Sequence, residues 1–95
     1  MGVGIAHHHG GGAYIKETLI AAGQSLPQHE HEHDHLSYLV AGQVAVQIGD
    51  EVTTVSAPRA MLIRKGQTHT VTAITQALWL CVWSEDRLAL EDQGR

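Results

Sequence analysis

Apolar and polar side chains alternate with a period of two along much of this chain, and the alternating runs are short. Val44, Val46 and Ile48 alternate with Ala45 and Gln47, which predicts a half-buried strand. Thr68, Thr70, Thr72 and Ile74 alternate with His69, Val71 and Ala73, a second such strand with His69 on its apolar face. Residues 13–22, 52–55, 60–64 and 77–83 are β-branched or aliphatic runs that predict further strands, the first ending at Gly23. His35–Ala41 is apolar at both parities, which predicts a strand covered on both faces. Turn residues separate these runs: Gly42-Gln43, the tight hairpin Gly49-Asp50-Glu51, the loop Ala57-Pro58-Arg59, and Lys65-Gly66-Gln67. Pro27 sits where a strand is expected to begin. Residues 85–91 could form one or two helical turns with Ser84 as N-cap. Many short strands with no intervening helix predict an all-β sandwich or barrel.

Ninety-five residues make one domain, which buries about 60–65% of its unfolded surface, so a bound metal or a second subunit would add to a modest core. The formal charge is −4 and Lys and Arg total only 6, which argues against nucleic-acid binding. No apolar run approaches the ~20 residues that span a membrane, and the N-terminus lacks the charged and apolar regions of a signal peptide. The single cysteine, Cys81, excludes an internal disulfide framework and fits a reducing cytoplasm; it is expected as a packed core thiol. Residues 1–12, with His7-His8-His9-Gly10-Gly11-Gly12, are expected to be a flexible arm.

The chemistry lies in His29-Glu30-His31-Glu32-His33-Asp34-His35. Imidazole is the commonest side-chain ligand of transition metals. On a strand the four histidines share one face and the acids the other, an outer solvated one. His29 and His35 would stand about 20 Å apart on a straight strand. One ion, bound at about 2.0–2.1 Å, cannot reach both. The chain must therefore bend after His31, with His33 and Asp34 near the bend and His35 opening a strand that returns beside the first. His69 arrives from a distant strand. The expected ligand set is His29, His31, His35 and His69.

Five residues separate Gly23 from His29, one separates His29 from His31, three separate His31 from His35, and six separate His35 from Gly42. This spacing resembles the first cupin motif, G-x5-H-x-H-x3/4-E-x6-G, with His35 in the glutamate position. Gly66 and His69 match the second motif, P-x-G-x2-H-x3-N, in which Arg64 replaces the proline and Ala73 the asparagine. The resemblance covers residues 14–83 and is to small single-domain cupins. It implies a small jelly-roll-like double-stranded β-helix over 13–84 with a short tail, a divalent metal inside the barrel, and in many members a homodimer. Dioxygenases, isomerases, decarboxylases, sugar-modifying enzymes and non-catalytic sensors share that fold, which does not choose among them.

A neutral histidine set leaves a divalent ion uncompensated. It should favour anionic oxygen chelators such as enolates, hydroxy acids or carboxylates. With iron, copper, nickel or manganese, oxygen chemistry on a bound chelate is the leading reading, with isomerase or lyase chemistry next; zinc completes the set of candidate metals. The other reading is a metal or small-molecule binding module, supported by the thin supply of inward polar groups, with Ser37 and Gln47 as candidates. Tyr14, His33 and the acids near the bend are the candidate proton carriers. Trp79 and Trp83 share a strand face with Cys81 and are expected in the core or a subunit contact. Tyr38 is expected to point outside the barrel, and Arg64 to sit on its rim.

Overall fold

The structure, a computed structural model, describes residues 3–27 and 34–85. Among these the chain forms nine strands: β1 (Val3–Gly10), β2 (Ala13–Ile20), β3 (Ser25–Pro27), β4 (His35–Ala41), β5 (Gln43–Ile48), β6 (Glu51–Ser56), β7 (Arg59–Ile63), β8 (His69–Ala73) and β9 (Ala77–Ser84). Five build one sheet in the order β1-β2-β9-β4-β7, and four build another in the order β3-β8-β5-β6. All pairings are antiparallel. This is the all-β barrel of two sheets that the alternation predicts. Among the described residues, no helix is long and apolar enough to cross a membrane.

The period of two decides what each sheet buries. Tyr14, Thr18 and Ile20 of β2, Leu39 of β4, and Ala77, Trp79, Cys81 and Trp83 of β9 are buried on the first sheet. Val44, Val46, Val55, Val71 and Ala73 are buried on the second. All of these but the polar Thr18 form one apolar cluster, with Leu26, Ile48 and Met61 packed against it. Ser37 is buried with its hydroxyl 3.6 Å from the Cys81 sulfur, so Cys81 is the expected core thiol.

Four expectations change. The flexible arm over 1–12 is, for residues 3–10, an edge strand paired along its whole length with β2. Gly11 and Gly12 form the connection with φ of +57° and +81°, the two positive values that a type I′ hairpin turn needs. His8 adds a contact to Glu17 at 3.1 Å. Strand β4 is covered on one face only. His35, Ser37 and Leu39 are buried, while Leu36, Tyr38 and Val40 stay 38–47% exposed, because no second layer of described residues lies over the outside of this sheet. Gln47 points outward and donates to the Gly49 carbonyl, leaving Ser37 as the inward polar candidate. Pro27 ends β3 rather than opening a strand; β3 lies at a sheet edge, where a missing N–H is tolerated. The proposed helical turn over 85–91 falls almost wholly outside the described residues.

Candidate metal centre

His35 is the first residue of β4 and His69 the first of β8, so the two arrive from opposite sheets. Strand alternation turns both inward: His35 shares a face with Ser37 and Leu39, His69 with Val71 and Ala73. Both are buried, at 3% and 1% exposure. Their ring centroids lie 6.3 Å apart at an interplanar angle of 44°. Two imidazoles on one ion, bound at about 2.0–2.1 Å, have centroids roughly 5 Å apart at tetrahedral angles and at most roughly 6.5 Å apart on opposite sides, so this spacing suits a shared metal only with the two rings near opposite positions. His29, His31 and His33 lie outside the described residues, as do Glu30 and Glu32. Among the described residues there is no group of three or more metal-type side chains.

The wall behind His35 is aromatic. Its ring stacks on the Trp83 indole with centroids 4.5 Å apart. Trp83 in turn stacks on Tyr14 at 5.6 Å. Strand register explains the row: His9 pairs with Tyr14, Tyr14 with Trp83, and the pairing of Leu36 with Val82 sets Trp83 opposite His35. The stack restrains the orientation of the His35 ring. The sequence predicts a core or interface place for Trp83; the structure adds its part in this wall. Trp83 was legible as inward, but its neighbour across two strand pairings was not.

Tyr14 is buried, and its hydroxyl lies 2.6 Å from Nδ1 of His7. His9 leans over the same phenol with centroids 4.9 Å apart, and its Nδ1 lies 3.3 Å from a Glu85 carboxylate oxygen. The hairpin that brings these histidines over Tyr14 was foreshadowed by Gly11-Gly12, a two-residue turn signal. An open, mostly apolar hollow of about 450 Å³ lies at the end of the five-stranded sheet, on its outer side, lined by the outward Leu36, Leu62 and Val82 and reaching Asp34, His35 and Trp83 at the start of β4 and the end of β9. Asp34 is exposed and accepts a hydrogen bond from the Lys65 backbone N–H at 2.7 Å, tying the start of β4 to the turn before β8. Tyr38 and Arg64 are exposed, as expected.

No curated protein matches the chain. Solved structures share its fold. KdgF from Halomonas sp. superposes with a TM-score of 0.75 at 20% identity, over 87% of this chain and 80% of its own. A predicted oxalate decarboxylase from Thermotoga maritima gives 0.73 at 19% identity, over 84% and 77%. Salicylate 1,2-dioxygenase from Pseudoaminobacter salicylatoxidans, solved as adducts with gentisate, gives 0.82 at 11% identity, over 94% of this chain and 26% of its own. The family model described as the cupin domain matches residues 16–83, and the chain therefore belongs to the cupin family.

Proposed function

We propose that this cupin binds one divalent transition metal through His29, His31, His35 and His69 and acts on a small anionic, oxygen-chelating molecule. The observation that carries the proposal is the buried His35–His69 pair, drawn from opposite sheets to a spacing that one ion can bridge. A bound iron, nickel, manganese, copper or zinc ion supplies Lewis acidity, and the redox-active ones also support oxygen chemistry. His35 is held by Trp83, its ring stacked on the indole. Neutral imidazole donors favour anionic ligands over neutral ones. The named neighbours for oxalate and salicylate support that substrate class at the level of the shared fold. Reaction by a dioxygenase-like or an isomerase or lyase route follows from the same site.

Among the described residues the buried polar side chains besides His35 and His69 are Thr18 and Ser37, a thin supply that favours a second reading, a non-catalytic module that binds a metal or a small molecule. We also propose a homodimer, formed by the uncovered outer face of the five-stranded sheet, and a cytoplasmic home consistent with the buried free Cys81. Metal analysis of purified protein tests the site. Wild type should carry about one ion per subunit, and His35→Ala and His69→Ala should each lose most of it. Full occupancy in His69→Ala would remove that residue from the site. Turnover of hydroxy-acid or dicarboxylate substrates by the loaded wild type then separates the enzyme from the binding module.

A further inference from the structure

One row of rings crosses the inner face of the five-stranded sheet: His35, Trp83, Tyr14 and then His9, with His7 on the Tyr14 hydroxyl. We propose that Trp83, Tyr14 and His7 form a relay that carries one electron from Tyr14 through Trp83 to the His35 site while the Tyr14 proton passes to His7 at the N-terminal edge of the barrel.

The chemistry follows from contact and side-chain type. Tryptophan and tyrosine are the protein side chains most readily oxidised by one electron without breaking a bond. Stacked rings with centroids 4.5 and 5.6 Å apart exchange an electron without an intervening group. Oxidation of a phenol also releases its proton, which needs an acceptor already in place. With His7 in its Nε2–H tautomer, the Tyr14 hydroxyl donates to Nδ1 at 2.6 Å, so that acceptor is present. Tyr14 is buried, whereas His7 lies on an exposed strand, so the proton ends at the solvent side. Tyr38 has no place in the row: it sits on the outer face of β4, 38% exposed.

The steps balance. Trp83 would give one electron to a one-electron oxidant held beside His35, an oxidised transition-metal ion or a substrate radical, and become an indole radical cation. Tyr14 returns one electron to Trp83 and passes its phenolic proton to His7 Nδ1. A neutral tyrosyl radical and an imidazolium remain. A solution thiol or ascorbate-type reductant restores Tyr14 with one electron, and the proton returns from His7. The relay would drain a stray oxidising equivalent from the site before it damages a ligand histidine. Only the source of that oxidant rests on the proposed function. The electron and proton steps rest on the ring contacts alone.

Laser photoionisation of the indoles in metal-free, full-length protein tests the relay, with transient absorption following tryptophanyl and tyrosyl radicals. The expected result is a conversion of one into the other that is first order and independent of protein concentration. Tyr14→Phe and Trp83→Phe should each lose it, and Tyr38→Phe should keep it. His7→Gln, on an exposed edge strand where folding is not at stake, should slow it and change its solvent deuterium isotope effect, because the phenolic proton must then find another acceptor. Absence of the conversion in wild type overturns the proposal, as does its survival in Tyr14→Phe or Trp83→Phe. An unchanged rate and isotope effect in His7→Gln overturns the proton step. Because light supplies the oxidising equivalent, failure here counts against the relay, while failure of metal binding counts against the proposed function.

Discussion

Replacing Gly42 with alanine should destabilise the barrel far more than the same change at Gly23, although both glycines flank the histidine motif and both have positive φ. Gly42 has φ +91° and Gly23 φ +84°. An alanine in that region costs about 1–2 kcal/mol at either position. The surroundings differ. A Cβ on Gly23 meets nothing within 4 Å, whereas one on Gly42 would lie 2.2 Å from the Gln76 carbonyl oxygen and 2.8 Å from the Ala77 Cα. Both obstacles are backbone, so no rotamer relieves them. The β4–β5 corner would have to part from the turn before β9, where Ile74 N–H donates to the Gln43 carbonyl at 2.8 Å and Gln43 N–H to the Thr75 hydroxyl at 3.0 Å. Overpacking of this kind adds about 2 kcal/mol or more. At about 4–8 °C per kcal/mol for a domain of this size, Gly42→Ala should melt about 8–16 °C below Gly23→Ala. Thermal denaturation followed by circular dichroism at one fixed protein concentration reads the gap, since a dimer makes melting depend on concentration. Equal melting temperatures for the two variants would refute the steric reasoning and the close packing of this corner.

Three further outcomes are expected. Ligand histidines must be neutral to bind metal, and an ordinary imidazole has a pKa of about 6.5, so protons displace the metal at pH 5.5 and not at pH 8. A chelator should therefore lower the melting temperature at pH 8 and have little effect at pH 5.5; equal effects would count against histidine ligation. His35→Glu should keep about one metal per subunit but bind oxalate or azide more weakly, because a carboxylate cancels part of the ion's charge; anion titration of the cobalt- or copper-loaded protein measures this, and unchanged affinity would take His35 off the metal. Leu36 and Leu62 pair across β4 and β7 and are 47% and 50% exposed, so Leu36→Arg combined with Leu62→Arg should turn a dimer into a monomer in sedimentation equilibrium without lowering metal content. A wild type that is already monomeric would refute the proposed dimer face.

The sequence by itself determined most of the strands from β2 onward and which of their residues share a face. A period of two places His69 with Val71 and Ala73, and His35 with Ser37 and Leu39, whatever those faces meet. The motif spacing then carried the family and the demand for a bend between His31 and His35. Local pattern says nothing about what covers a face or what lies across a pairing. Apolar residues at both parities of β4 read as double coverage, yet only the tertiary arrangement decided that Leu36, Tyr38 and Val40 remain open. The histidines near the N-terminus read as a loose arm because their own strand is polar. Eight residues of register with β2 and a two-glycine turn make them an edge strand instead. The stack of His35 on Trp83 and Tyr14 joins residues far apart in the chain, and the approach of His69 joins two sheets. Such contacts depend on which strands pair and in what register, a property of the whole barrel that short-range alternation does not carry.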